Sequence, residues 1–257
     1  MTLEMLISGM KLNIADVAES MNLQADAIVI NQCENNAYEE YDFNNHKIRC
    51  HSFNERGVGL SRNNALMRAT GDILLFSDED IVYAEGYAEK VLKAFEDRPW
   101  ASVLFFNVEV EKERATYHTE KEHRIHWYNS GRYPTYSIAC RREALHKNNI
   151  TFNLLFGGGA RYSNGEDSLF IRDCLKKGLK AYALPINIGR EVPRPSTWFN
   201  GYTDKFFYDR GVLYKALYGR LAVPMGLRFL LRHRALLLKE KTFSQAFGLM
   251  RKGIREF

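Results

Sequence analysis

The chain has 257 residues and a formal net charge of +5, with 46% hydrophobic and 26% charged residues. That length and balance suit one large or two small globular domains and exclude a low-complexity or fibrous chain. None of the four cysteines (Cys33, Cys50, Cys140 and Cys174) forms a C-x-x-C pair or sits in a zinc-like spacing, so four reduced thiols are expected rather than a disulfide framework. Met1 to Met10 is too short and mixed for a signal peptide, and no uncharged apolar run approaches the ~18 residues of a membrane span.

Strand and helix patterns alternate along the first half, which predicts an α/β sheet. Glu4 to Ser8 reads as a first strand, Ile14 to Met21 as a helix and Ala27 to Ile30 as a buried strand that ends in Asn31-Gln32. Lys47 to Phe53 reads as another strand. Gly57 to Ser61 is a tight loop from which Ser61 is expected to cap a helix through Arg62, Asn63, Ala65, Leu66 and Ala69, closed by Gly71. Ile73 to Phe76 is a buried-type strand that stops in Ser77-Asp78-Glu79-Asp80. Carboxylates at the carboxyl end of a strand occupy the rim where ligands bind in open α/β sheets, and their oxygens suit a hard divalent cation.

Gly86 to Asp97 has helical spacing, with Tyr87, Val91, Leu92 and Phe95 on one face. Ala101 to Val110 alternates as a strand, and Glu111 to Arg124 reads as a charged surface excursion. His123 and His126 stand three apart there, but a third metal ligand is missing and a surface pair is expected. Tyr136 to Cys140 is a strand, Arg141 to Lys147 a short helix, and Phe156-Gly157-Gly158-Gly159-Ala160 a flexible loop that lets backbone approach a ligand closely. Glu166 to Lys177 is helical, with two carboxylates, Glu166 and Asp167, in its first turn. Lys180 to Pro185 is the last strand.

From Arg210 onward eleven lysines and arginines face two glutamates, a net +9 that leaves −4 for residues 1–209. Leu221 to Leu238 mixes leucines with Arg228, Arg232 and Arg234, the composition of a helix lying in a membrane interface or of a pair of packing helices with a solvated basic face. Trp198 and Tyr202 follow Pro193 and Pro195, where their rings either stack on an acceptor sugar or pack the tail against the sheet. No nucleic-acid-binding module is recognised.

Arg62-Asn63, Asp78-Glu79-Asp80, Gly157-Gly158-Gly159 and Glu166-Asp167 occur in an order that resembles glycosyltransferase family 2, the inverting enzymes of the GT-A fold. Gly57 to Ala65 (GVGLSRNNA), Ile73 to Asp80, Ser137 to Arg142 and Phe156 to Asp167 carry the resemblance, which spans residues 3 to 190. It implies a GT-A mixed sheet flanked by helices over residues 1–195 and a basic helical extension over 196–257. It implies transfer of a hexose from a nucleoside-diphosphate donor, UDP-linked by preference, to a glycan or lipid-linked acceptor in bacterial cell-surface polysaccharide synthesis. Asp80, with Asp78, would hold Mn²⁺ or Mg²⁺. Arg62, Asn63, Asp78, Asn31, Gly158 and Gly159 would meet the donor, and Trp198 and Tyr202 the acceptor. Asp167, or Glu166, would be the general base, kept ionised and weakly basic by the helix N-terminus. The chain would lie in the cytoplasm, against the inner face of the membrane. Two departures stand out. Leu6 to Met10 replaces the family's usual opening strand end, and no acidic residue stands clearly after the second strand, where Asn31, Gln32 and Glu34 are the candidates. A nucleotidyltransferase is the enzymatic rival, disfavoured by the single glycine in Leu6 to Lys11. A silent sugar- or lipid-binding module of the same fold is the other.

Overall fold

A computed structural model of the chain describes residues 1–111, 115–193, 201–238 and 241–257. Its centre is one mixed sheet of ten strands among the described residues, in the order β3-β4-β2-β1-β5-β9-β7-β10-β6, with β8 added against β10. The strands are β1 (Leu3–Met10), β2 (Asp26–Gln32), β3 (Ala37–Phe43), β4 (His46–Phe53), β5 (Ile73–Asp78), β6 (Ile81–Tyr83), β7 (Val103–Glu109), β8 (His123–Arg124), β9 (Ile138–Arg141) and β10 (Ala181–Glu191). β4, β2, β1 and β5 run parallel, and β9 lies antiparallel between β5 and β7. The parallel half therefore brings the carboxyl ends of β1, β2 and β5 to one edge, with Ser8 opposite Asp78.

Helices cover both faces, which is why these strands read as continuous apolar runs rather than alternations. On one face Met5, Ile7, Ile73 and Leu75 pack with α1 (Ile14–Ser20) and α3 (Tyr87–Glu96). On the other, Leu6, Leu74 and Phe76 pack with α2 (Val58–Arg68) and α5 (Glu166–Lys176), while α4 (Arg142–Lys147) adds Leu145.

Three sequence expectations are corrected. β3 is an unpredicted, almost wholly exposed edge strand. It pairs with β4 across the two-residue turn Asn44-Asn45, whose φ values of 48° and 65° fit a type I′ hairpin. The β2-side helix starts at Val58, and its N-cap is Gly57, without a side-chain cap. Ser61 lies inside α2, fully buried, and hydrogen-bonds Ser8 Oγ at 3.0 Å. The last strand continues past Pro185 to Glu191, because irregular pairing between Ala183 and Gly189 lets β10 pass the proline and go on along β7 and β6.

The C-terminal helices α6 (Asp204–Tyr218), α7 (Ala222–Arg232), α8 (Arg234–Leu237) and α9 (Phe243–Glu256) form a bundle with Phe207, Leu230 and Met250 at its centre. α6 and α9 cross closely: a Cβ on Gly211 would stand 2.1 Å from the Met250 carbonyl oxygen, and one on Gly253 2.2 Å from that of Tyr208. The bundle is not a free appendage. Val212 and Leu213 of α6 share a buried cluster with Phe156, Tyr162 and Leu169 of the sheet-bearing part.

Candidate active site

The site forms where the β5 end, the α2 start and the α5 start converge. Ile73 to Phe76 is fully buried, so β5 is fixed, and its polar continuation emerges at Asp78. α2 begins against the glycine loop: Val58 N–H donates to the Gly158 carbonyl at 2.9 Å, and Gly57 N–H to Gln32 Oε1 at 2.7 Å. Gly157, with φ +107°, has no room for a side chain, since a Cβ would stand 2.8 Å from both Glu166 Oε2 and Val58 Cγ1. The triple glycine thus lets a backbone loop fit between the two helix starts.

Arg62 ties these pieces together. It is only 4% exposed and donates 2.9 Å hydrogen bonds to Asp78 Oδ1 and to Glu166 Oε1. Its guanidinium lies 5.5 Å from the centroid of Phe152, whose ring stacks on Phe170 of α5 and meets Phe76 of β5 edge-on. Burial alone would weaken the Arg62 charge, but Asp78 and Glu166 outweigh it and raise its pKa. Breaking a buried, paired charge network of this kind costs several kcal/mol, because the remaining partners lose their compensation.

Asp167 follows Glu166 in the first turn of α5, and its Oδ1 accepts the Ser168 N–H at 2.6 Å. Its carboxyl is half-buried at the surface yet densely enclosed by protein. Desolvation first, and the neighbouring Glu166 second, push its pKa from 3.8 up to about 7, against the smaller opposing effects of the Ser168 N–H and Arg62. The expectation of a weakly basic, dipole-stabilised carboxylate is corrected here. Burial beside a like charge outweighs the helix N-terminus.

Asp78 is held by Arg62, and Asp80 stands half-exposed two residues on. Asp78, Asp80 and Glu191 all act on the Tyr136 hydroxyl, whose pKa burial raises first and these carboxylates raise further. Glu191, at the end of β10, went unnoticed in the sequence because nothing local marks it. Among the described residues no group of three His, Cys, Asp or Glu side chains forms a complete metal cage. Two oxygen-donor carboxylates nevertheless fit a Mg²⁺ or Mn²⁺ ion that takes its other ligands from phosphates and water.

The remaining candidates divide. Asn31 is buried, and its amide holds Leu12 N–H at 2.9 Å and Ser52 Oγ at 3.1 Å. Asn63 clasps the Phe152 backbone, donating to its carbonyl at 2.9 Å and accepting its N–H at 2.7 Å. Both amides are therefore engaged in anchoring loops. Gly159 has φ +78° in the loop beside α5. Tyr202 packs edge-on against Phe206, partly buried on the bundle core. Trp198 lies outside the described residues. His123 and His126 do not converge: His123 Nε2 is 3.0 Å from the Tyr133 hydroxyl, and His126 stacks on Tyr128.

A further carboxylate, Asp209 of α6, is 2% exposed and accepts from Ser163 N–H at 3.0 Å, Ser163 Oγ at 2.9 Å and Lys205 Nζ at 2.6 Å. Next to that anchor, Gly165 caps α5 at φ +108°, where a Cβ would stand 2.4 Å from Leu213 of α6. The bundle thus positions the turn that carries Glu166 and Asp167.

The family model described as Glycosyl transferase family 2 matches residues 22–158, more than half of the chain. A comparison with curated proteins finds no match. Among solved structures, S. aureus TarS 1–349 in complex with UDP-GlcNAc superposes with a TM-score of 0.66 at 15% identity, over 99% of this chain and 82% of that one. The same protein in complex with UDP gives 0.64 at 15% identity, over 100% and 82%. The mannosyltransferase PcManGT from Pyrobaculum calidifontis, in complex with GDP-Man and Mn²⁺, gives 0.55 at 13% identity, over 99% and 74%. At these identities the structural matches establish the shared GT-A fold.

Proposed function

The chain belongs to glycosyl transferase family 2 and is a glycosyltransferase; from that premise we propose that it inverts the anomeric centre as it moves a hexose from a UDP-sugar to a glycan or lipid-linked acceptor. The observation that carries this reading is the Arg62 bridge, which joins the Asp78 end of β5 to the helix start bearing Glu166 and Asp167. On this reading, the same bridge would set a donor-side carboxylate pair against an acceptor-side base. That UDP-GlcNAc and UDP are the ligands of the TarS complexes favours a uridine donor.

Asp167 takes the proton of the acceptor hydroxyl as that oxygen bonds the anomeric carbon and the bond to the donor diphosphate breaks. A carboxylate with a pKa of about 7 is a stronger base than an ordinary one and is still ionised in a useful fraction near neutrality. A single displacement with one base inverts configuration. Asp80, with Asp78, would hold a divalent cation, Mn²⁺ or Mg²⁺, which when bound neutralises charge on the departing diphosphate. Arg62 keeps Asp78 and Glu166 at fixed separation, and Glu166 raises the basicity of Asp167 by its charge. Asn31, Asn63, Gly158 and Gly159 shape the donor-side loops, and Trp198 is retained as an acceptor-side candidate.

The reading includes a place at the inner face of the cell membrane, in cell-surface polysaccharide synthesis. α7 buries Ala222, Gly226 and Leu230 against the bundle, while Leu221, Val223, Leu227, Leu231 and Leu236 stay exposed among Arg228, Arg232 and Arg234. Among the described residues no helix is long and apolar enough to cross a membrane, so the contact would be interfacial.

The test is a thermal shift and nucleoside-diphosphate release assay with Mn²⁺ and UDP-, GDP- and dTDP-sugars. Stabilisation by a UDP-sugar is expected, and no stabilisation by any of them would sink the reading. Asp167→Asn should lower turnover by ~10²–10⁴-fold with UDP binding intact; turnover at the wild-type rate would remove Asp167 as base.

A further inference from the structure

A cavity of about 520 Å³ opens between α6, α7 and the segment around Arg132. Arg132, Arg210, Arg228, Arg232 and His233 line it together with Tyr128, Tyr214 and Tyr218, and no Asp or Glu does. Among the described residues none of the four arginines makes an ion pair, whereas Arg56, Arg62 and Arg98 each have a carboxylate partner. Arg210 is the built part of the cavity. Its guanidinium is held 5.2 Å from the Phe206 ring centroid and 5.1 Å from that of Phe229, and its Nε is buried without a hydrogen-bond partner. Burial first, then Arg232 and Arg210, depress the His233 pKa, so the positive field reaches across the cavity. Four like charges gathered without a counter-charge repel one another, and a buried donor without a partner costs stability. A solvated basic face would leave its arginines extended into water; this one fixes one of them between two rings.

We propose that this cavity binds a phosphate or diphosphate group. Guanidinium forks match phosphate oxygens bidentately, and the tyrosines offer hydroxyl donors and ring faces for an attached sugar or polyol. The cavity shares Gly131 and Tyr218 with a second one of about 460 Å³ that runs along α5 and is lined by Ser168, the neighbour of Asp167. The two cavities adjoin at these residues, and Ser168 places the second beside the turn that bears the proposed base. The role assigned to the site is therefore to anchor the phosphate-bearing end of the acceptor. That role rests on the transfer reading, but the phosphate binding does not.

The experiment titrates inorganic pyrophosphate into the full chain by calorimetry at constant ionic strength. The same titration is run on Arg228→Gln, on Arg210→Gln and on Asp80→Asn, with UDP as a second titrant for each. Titrated without divalent cation, pyrophosphate should lose roughly tenfold in affinity in each arginine variant, the scale of one charge-assisted contact, and hold in Asp80→Asn; titrated with Mn²⁺, the tighter UDP event should weaken in Asp80→Asn and hold in the arginine variants. If Arg210→Gln does not fold, Arg228→Gln, whose side chain is exposed, carries the comparison alone. Equal pyrophosphate affinity in wild type and Arg228→Gln, or no binding by wild type, overturns the site. Loss of UDP binding by wild type would instead strike the transferase reading and leave the site standing. Two further arms name the source of the phosphate. Capture by phosphatidylglycerol vesicles that pyrophosphate displaces supports a lipid headgroup, and binding of soluble glycerol phosphate without displaceable capture supports a phosphorylated glycan or polyol. Failure of both arms overturns the anchoring role.

Discussion

Asp167 links activity and stability in opposite directions. Its carboxyl keeps a proton up to about pH 7 in the fold, against 3.8 for an ordinary aspartate. Between about pH 4 and 7 the folded chain therefore binds a proton that the unfolded chain has released, so this group's contribution to stability falls as pH rises through that window and is level above it. The full linkage is ~4 kcal/mol, and the half-buried position cuts the observable part to about half. If Asp167 is the base, as proposed, activity should rise over the same upper range because it must be ionised, with an inflection in kcat/KM near pH 7. Asp167→Asn should abolish both trends and be more stable than wild type at pH 8, checked by denaturant unfolding at pH 5 and pH 8. A variant that keeps the wild-type slope would show that another group carries it. Asp78, Asp80, Glu166 and Asp167 were legible as candidates because each sits where a strand or helix pattern breaks. That Arg62 joins two of them was not, since a guanidinium on α2 reaching residues 16 and 104 positions away leaves no local trace. Glu191 and Asp209 were missed for the same reason.

At the scale of elements, the turn that bears Glu166 and Asp167 is set by α6. Asp209 holds Ser163 by two hydrogen bonds, and Leu213 fills the space that Gly165 leaves open. Asp209→Ala removes both bonds and leaves the Ser163 N–H unpaired, at a cost of about 2–3 kcal/mol. Because Gly165 begins α5, the displaced turn carries Asp167 with it. Turnover should fall ~10–100-fold, as for a misplacement on the order of 1 Å, while UDP affinity stays within about twofold. Steady-state kinetics beside UDP calorimetry checks this, and an unchanged kcat would show that α6 only packs. Buried runs such as Ile73 to Phe76 announced β5 because both faces of the sheet are covered. β3 escaped because an exposed edge strand, Tyr38 to Asp42, has no buried face to impose a pattern. Asn44-Asn45 was the one turn signal that marked it.

At the scale of the whole molecule, the charge division and the exposed leucines make one argument. The expected boundary near residue 195 follows the composition, but the physical core crosses it, since Val212 and Leu213 lie with Phe156, Tyr162 and Leu169. Deleting the basic part would strip that cluster bare, so a truncated chain cannot report on membrane contact, and point variants must. Leu227 and Leu231 are 37% and 54% exposed, one turn apart on α7, and can be replaced without opening the bundle. Burying both in a lipid interface is worth ~3 kcal/mol or more, and each nearby arginine adds about 1 kcal/mol against anionic lipid. Leu227→Gln/Leu231→Gln, which removes the apolar surface without adding charge beside Arg228 and Arg232, should therefore weaken capture by phosphatidylglycerol vesicles by ~100-fold in a flotation assay. It should leave pyrophosphate binding and thermal stability unchanged. High salt should weaken wild-type capture without abolishing it, because only the arginine part is screened. Equal flotation of wild type and the double variant would remove the membrane from the proposal and leave α7 as a solvated face of the bundle.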